Sequence, residues 1–172
     1  MLFIFLNLLI LFAFIFLVYL LFQGAIYVPS SDRAIKTMLL LSKVKKGDKV
    51  ADLGSGDGRV AIAFAQKGAI VDGYEINPYL VWLSRNKVKK NNLQNRIKIY
   101  WKSYWGINLS KYKVIIVFGI DHIMNRLKKK LLGELQSKSK ILLNLFPFPG
   151  LKADKTQNGI YLYKITRRFV VK

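Results

Sequence analysis

The stretch KVADLGSGDGRVAIAFAQKGAIVDGYEIN, residues 49 to 77, holds three glycines in five positions, Gly54, Gly56 and Gly58. Asp52 stands just before them, and Glu75 ends a second apolar run about twenty residues on. Glycine at that density costs chain entropy, so the backbone there must do something a side chain would block. A loop between a strand and a helix gathers backbone N–H groups and a positive helix end at the carboxyl edge of a sheet. The flanking acids narrow what it can hold. An acid before the loop repels a pyrophosphate and attracts an amino group, and an acid at the tip of the next strand accepts hydrogen bonds from ribose hydroxyls. The dinucleotide fingerprint G-x-G-x-x-G would need its last glycine at 59, where Arg59 stands.

A ligand with an amino-acid tail, a ribose and an adenine suits this loop better than NAD, and S-adenosylmethionine is that ligand. The plainer reading is a glycine-rich turn with no ligand. Charge weighs against it. The chain of 172 residues carries 29 Lys and Arg against 9 acids. Four of those acids, Asp52, Asp57, Asp72 and Glu75, fall in this one stretch, a concentration that surface decoration does not explain.

The elements that must position these residues alternate. A capped helix is expected from about Ser31 to Ser42, a buried strand over 49–54, and a helix through DGRVAIAFAQKG closed by Gly68. AIVDGYEI is a second strand, and Asn77 with Pro78 opens a helix running to about Asn91. Strands follow at 97–103, 113–119, 140–146 and 160–165, with a helix from about Asp121 to Leu135 between the fourth and fifth. The strands are apolar on both faces. That pattern belongs to an α/β fold with a parallel sheet covered by helices.

Residues 1–22, MLFIFLNLLILFAFIFLVYLLF, contain no charged side chain. As a helix they would reach about 33 Å, enough to cross a bilayer core, and they lack the basic start and small-residue end of a signal peptide. The expectation is a single-span anchor over 1–22, a hinge over 23–30 and one domain over 31–172. Arg33 and Lys36 follow the span and nothing basic precedes it, which places the domain on the cytoplasmic side of the membrane. The absence of cysteine accords with a reducing compartment. The net charge of +20 lies wholly after residue 22. It reads first as a lysine-rich solvated surface and second as adhesion to anionic lipid. No interleaved aromatics or nucleic-acid motif accompany the charge, so nucleic acid is not the expected partner.

The stretch resembles motif I and the following acidic motif of class I methyltransferases. More narrowly, VPSS, DLGSGDGRVAIA, GYEINPYLVWLSR, NLSKYKVIIVFG and NLFPFP resemble a family of small protein-lysine methyltransferases. Its mitochondrial members modify the adenine nucleotide translocase and the c-subunit of ATP synthase. The resemblance runs from about Val28 to Ile165 and implies a Rossmann-like fold with a mostly parallel, seven-stranded-type sheet. It implies that Asp52, Gly54, Ser55, Gly56 and Gly58 surround the methionine part of S-adenosylmethionine, that Glu75 binds ribose and that Ile76 packs on adenine. Ser103 and Tyr104 stand where relatives carry an acid near the adenine amino group, leaving Tyr104's backbone or ring to serve. Phe118 would lie beside the methyl group, and Phe146, Pro147 and Phe148 would shape a channel for the target side chain. The implied substrate is a protein, and the anchor makes an integral membrane protein the expected one.

Asp121 and His122 follow the fourth strand and are candidates to assist deprotonation of an amine. The favoured account is plainer: Asp121 caps a helix and His122 faces solvent. Trp82 reads as helix packing, and FPFP also reads as a rigid strand exit. No cluster suggests a metal. Two further functions stay open, a methyltransferase for RNA or a small lipid-like molecule and a non-catalytic S-adenosylmethionine-binding membrane module.

Overall fold

The computed structural model describes residues 1–23 and 28–166, without the side chains of residues 2 and 18–23. Thirteen elements run α1 (Leu2–Gln23), α2 (Asp32–Ser42), β1 (Lys49–Leu53), α3 (Arg59–Gln66), β2 (Ile70–Glu75), α4 (Pro78–Lys90), β3 (Ile97–Trp101), a 3₁₀ turn (Tyr104–Gly106), β4 (Val114–Phe118), α5 (Asp121–Glu134), β5 (Lys140–Asn144), β6 (Lys155–Gln157) and β7 (Ile160–Lys164). The seven strands form one sheet in the order β3-β2-β1-β4-β5-β7-β6. The first five are parallel; β7 runs antiparallel to β5 and forms a hairpin with β6. The order reverses between β1 and β4, the switch point at which open α/β sheets bind ligands.

Successive strand residues point to opposite faces, and here both faces are apolar. Val50, Val114, Ile116 and Leu142 pack with α2, α3 and α4 on one side. Ala51, Ile115, Val117, Ile141 and Leu143 pack with α5 on the other. The helix starts follow local chemistry. The Ser31 side chain accepts from Ala34 N–H, and the Asn77 side chain accepts from Tyr79 and Leu80 N–H ahead of Pro78. Asp121 departs from its expected role. The N-cap of α5 is Ile120, with no side-chain cap, and Asp121 occupies the first turn, where its charge still suits the helix dipole. His122 beside it is exposed.

α1 runs from Leu2 to Gln23, with its side chains described over residues 3–17. Among the described residues no helix is long and apolar enough to cross a membrane. The centre of the expected hinge, residues 24–27, and the chain end, 167–172, lie outside the described residues.

Candidate functional site

At the carboxyl edge of β1 the chain leaves the sheet through three successive departures into left-handed space, with φ of 78° at Gly54, 54° at Gly56 and 80° at Gly58. An L side chain resists each of them. The turn is tied to β2 by its backbone. Gly54 and Ser55 N–H both donate to the Tyr74 carbonyl, at 2.9 and 3.0 Å, and Gly58 N–H closes the loop on the Ser55 carbonyl at 2.9 Å. Glu75, at the end of β2, supplies the other tie. Its Oε2 accepts from Gly56 N–H at 2.9 Å, and its Oε1 accepts from Ile76 and Asn77 N–H, each at 2.8 Å. Three backbone donors on one carboxylate hold the loop, the strand end and the start of α4 in fixed relation.

These elements border a cavity of about 290 Å³. Asp52, Gly54, Ser55, Gly56, Glu75, Ile76, Ser103, Tyr104 and Phe118 all line it. Gly58 does not; it starts α3 and lies against α4, where an added Cβ would stand 3.0 Å from Ser84 Cβ. Phe146 is half-buried outside the cavity wall, edge-on to Phe118 with centroids 6.4 Å apart, and Pro147 is exposed beside it. Phe148 departs from the expected channel. It is buried in the core against the Tyr163 ring at 4.9 Å, and its N–H donates to the Tyr163 hydroxyl. The chain turns inward after Pro147 because a buried aromatic there closes the sheet's second face.

The four acids divide. Asp57 is committed to an ion pair with Arg59 at 2.9 Å and another with Lys87. Against its burial, the Arg59 and Lys87 hydrogen bonds hold it down at about 2. Asp72 lies away from the cavity, accepting from the Tyr112 hydroxyl at 2.6 Å and from Lys111. Asp52 is different. It is 4% exposed, and burial, then the Glu75 and Asp57 carboxylates, push its carboxyl up to about 7. Its Oδ2 and the Ser55 Oγ are buried without a hydrogen-bond partner. Such atoms cost on the order of 1–3 kcal/mol each unless something meets them.

What would meet them is polar and carries a cation near Asp52. The amino-acid end of S-adenosylmethionine has that chemistry: an ammonium that would answer the unpaired carboxylate oxygen and a carboxylate that would take the Ser55 hydroxyl. Ile76 and Leu80 supply apolar wall farther along. Burial lifts the Tyr104 hydroxyl well above the usual phenol range, so it stays a neutral donor in this wall.

The segment before α2 also reaches the site, although VPSS carried no assigned role in the sequence. Val28, Pro29 and Ser30 line the cavity. The Ser30 carbonyl accepts from Arg59 at 3.3 Å, and its Oγ accepts from Asn144 Nδ2, at the end of β5, at 3.1 Å. Those partners lie 29 and 114 residues away, a closure that no local pattern announces.

A seven-stranded sheet with an antiparallel hairpin on one edge, a glycine loop after β1 and acids at the ends of β1 and β2 define an S-adenosylmethionine-dependent methyltransferase domain of the Rossmann-like class. Residues 52–155 match the model of the ANTKMT methyltransferase domain, and the chain belongs to that family. It is 37% identical over 128 residues to the ATP synthase c-subunit lysine N-methyltransferase of Xenopus laevis, covering 74% of this chain and 56% of that protein. It is 30% identical over 151 residues to a protein-lysine N-methyltransferase of Saccharolobus islandicus, covering 81% of this chain and 92% of that one. The chain thus spans little more than half the length of the vertebrate relatives it matches. Among solved structures, an RNA methyltransferase from Salinibacter ruber in complex with S-adenosyl-L-homocysteine superposes with a TM-score of 0.77. Its identity is 26%, and 81% of this chain and 95% of that one are covered.

Proposed function

We propose that this chain is a membrane-anchored, S-adenosylmethionine-dependent protein-lysine methyltransferase acting on an integral membrane protein from the cytoplasmic side. The observation that carries the cofactor reading is the pair of buried, unpartnered atoms, Asp52 Oδ2 and Ser55 Oγ, on two residues that line the cavity. The lysine reading draws on the named activities of the Xenopus and Saccharolobus relatives.

When bound, the sulfonium supplies an activated methyl group and a neutral thioether as leaving group. The protein's part is then positioning. Asp52 and Ser55 fix the amino-acid end, the loop braced by Glu75 fixes the depth, and Phe118 stands at the end of β4 where the acceptor would enter. A lysine arrives protonated, with a reference pKa near 10.4, and an apolar wall such as the Phe118–Phe146 pair destabilises its ammonium. Asp121 and His122 are exposed at the start of α5 and carry no step in this account.

The uncharged segment 1–22 supports anchoring, since α1 is helical throughout and its described side chains after Met1 are apolar except Asn7. A second reading, methylation of RNA, is favoured by the Salinibacter likeness and the +20 charge. Adding the full chain and methyl-labelled S-adenosylmethionine to separated membrane-protein, soluble-protein, RNA and lipid fractions decides among them. Label in membrane proteins is expected. Label chiefly in RNA or lipid would overturn the lysine reading, and equal labelling of soluble protein would overturn the anchored one.

A further inference from the structure

Among the described residues beyond α1, the exposed large apolar side chains are unevenly placed. Of Val28, Leu40, Ile70, Tyr79, Trp82, Tyr100, Trp101 and Leu145, all but Leu40 and Ile70 stand at the carboxyl edge of the sheet or in the first two turns after it. The densest group lies where α4 begins beside the end of β3. Tyr79 and Trp82 are 64% and 60% exposed and stack on one another three residues apart, with centroids 6.1 Å and an interplanar angle of 29°. Trp101 is 64% exposed, with its indole N–H held by the Ile76 carbonyl at 2.9 Å, so the ring is fixed in place at the surface. Trp82 is therefore not the packing residue that its helical position suggested.

The two elements that carry this group bear only basic charge, and Glu75, the acid opposite Trp101, is buried on three backbone donors. α4 continues past Trp82 into Arg85, Lys89 and Lys90, with Lys87 paired to Asp57, β3 is followed by Lys102, and neither element contains an acid. Rigid aromatics with a polar edge, flanked by lysine and arginine, are the side chains that settle at the headgroup level of an anionic bilayer. The tether points the same way. Val28 lines the cavity, and the chain from Gln23 to Val28 spans at most about 18 Å. Whatever membrane holds α1 therefore lies close to the cavity's own edge of the domain. The aromatics share that edge, since Asn77 and Leu80 of the same α4 start line the cavity too.

We infer that the α4–β3 corner, through Tyr79, Trp82 and Trp101, rests in the interfacial layer of an anionic membrane, with the cavity mouth facing the bilayer surface. This rests on the anchored reading above and adds to it a defined second contact, which would orient the site towards side chains just outside the hydrocarbon.

The chain is built for the test, because its three tryptophans are Trp82, Trp101 and Trp105 and none lies in α1. Trp105 is half-buried beneath Arg126, whose guanidinium carbon lies 4.2 Å from the ring centroid. The full chain is reconstituted into phosphatidylcholine–phosphatidylglycerol vesicles, with or without acyl-chain-brominated lipid. Emission of the Trp105→Phe variant, which keeps the two surface rings, is expected to shift to the blue and lose intensity with brominated lipid. Emission of the variant carrying Trp82→Phe and Trp101→Phe is expected to do neither. A chain that floats with the vesicles while neither variant is quenched would overturn this inference and leave the anchor standing. A chain that does not float would overturn the anchor, and this inference with it. A photoreactive phenylalanine analogue in place of Tyr79, used in native membranes, should cross-link to lipid; cross-linking to polypeptide instead would make the corner a protein-docking face and overturn the assignment.

Discussion

Gly56 N–H donates to Glu75 Oε2 at 2.9 Å, across 19 residues, so the carboxylate expected to meet a ribose is first a brace for the glycine loop. With Ile76 and Asn77 N–H on its other oxygen, Glu75 has room for one more donor at most. Glu75→Gln must turn an amide NH₂ towards one of these backbone donors. We expect a loss of about 1.5–3 kcal/mol in stability, the range for hydrogen bonds to a charged group, together with weaker S-adenosylmethionine binding. Thermal unfolding with and without cofactor measures both; an unchanged unfolding temperature without cofactor would show that the brace is idle.

Asp52 predicts a pH dependence. In the folded chain it takes up its proton near pH 7, whereas an unfolded Asp does so near 4. Between those values the folded state holds the extra proton, so stability falls as pH rises towards 7 and the cost is complete above it. Asp52→Asn should therefore stabilise the ligand-free chain above pH 7, by on the order of 2–4 kcal/mol, and show no such gain near pH 4. Cofactor affinity of the unaltered chain should climb as pH rises through about 7, because an ammonium is best met by the ionised carboxylate. Calorimetry across that range should show the climb, and its absence in Asp52→Asn.

The two phenylalanines of FPFP should separate. Phe148→Ala empties a buried site and should cost about 3–5 kcal/mol of stability. Phe146→Ala, at a half-buried ring facing Phe118, should cost less and show instead in methyl transfer. Denaturant melts set beside turnover would show the contrast, which a larger stability loss at Phe146 would reverse.

Gly73 in β2 has no room for a side chain: an added Cβ would stand 2.7 Å from Ile99 Cδ1 and 3.0 Å from Ser55 Cβ. Gly73→Ala should cost about 1–3 kcal/mol through overpacking. Because one of the displaced atoms belongs to the loop, cofactor affinity should fall as well. Full affinity in a destabilised variant would mean that Ile99 alone absorbs the strain.

Much of this was legible in the chain. Alternating apolar runs gave five parallel strands to within two residues of their ends, because strands buried on both faces write themselves plainly. Ser31 and the Asn77–Pro78 pair marked helix starts because capping is local chemistry. What escaped is long-range or faint. Lys155–Gln157 is a three-residue edge strand with no buried side chain, so it leaves no pattern. The 3₁₀ turn at Tyr104–Gly106 rests on one side-chain cap from Ser103. The scarcity of acids singled out Asp52, Asp57 and Glu75 at the cavity, but Asp57 is taken up by the Arg59–Lys87 pair and Asp72, away from it, serves Tyr112, partners that only folding brings together. Phe148 looked like Phe146 in sequence; the turn between them sends one inward.

The most direct measurement is mass spectrometry of integral membrane proteins after incubation with the full chain and methyl-labelled S-adenosylmethionine, beside the Asp52→Asn variant. The account predicts labelled methyl groups on lysine side chains of a membrane protein with the unaltered chain, and their loss with the variant. Label on any other residue type, label found only in RNA or lipid, or equal lysine methylation by Asp52→Asn would contradict it.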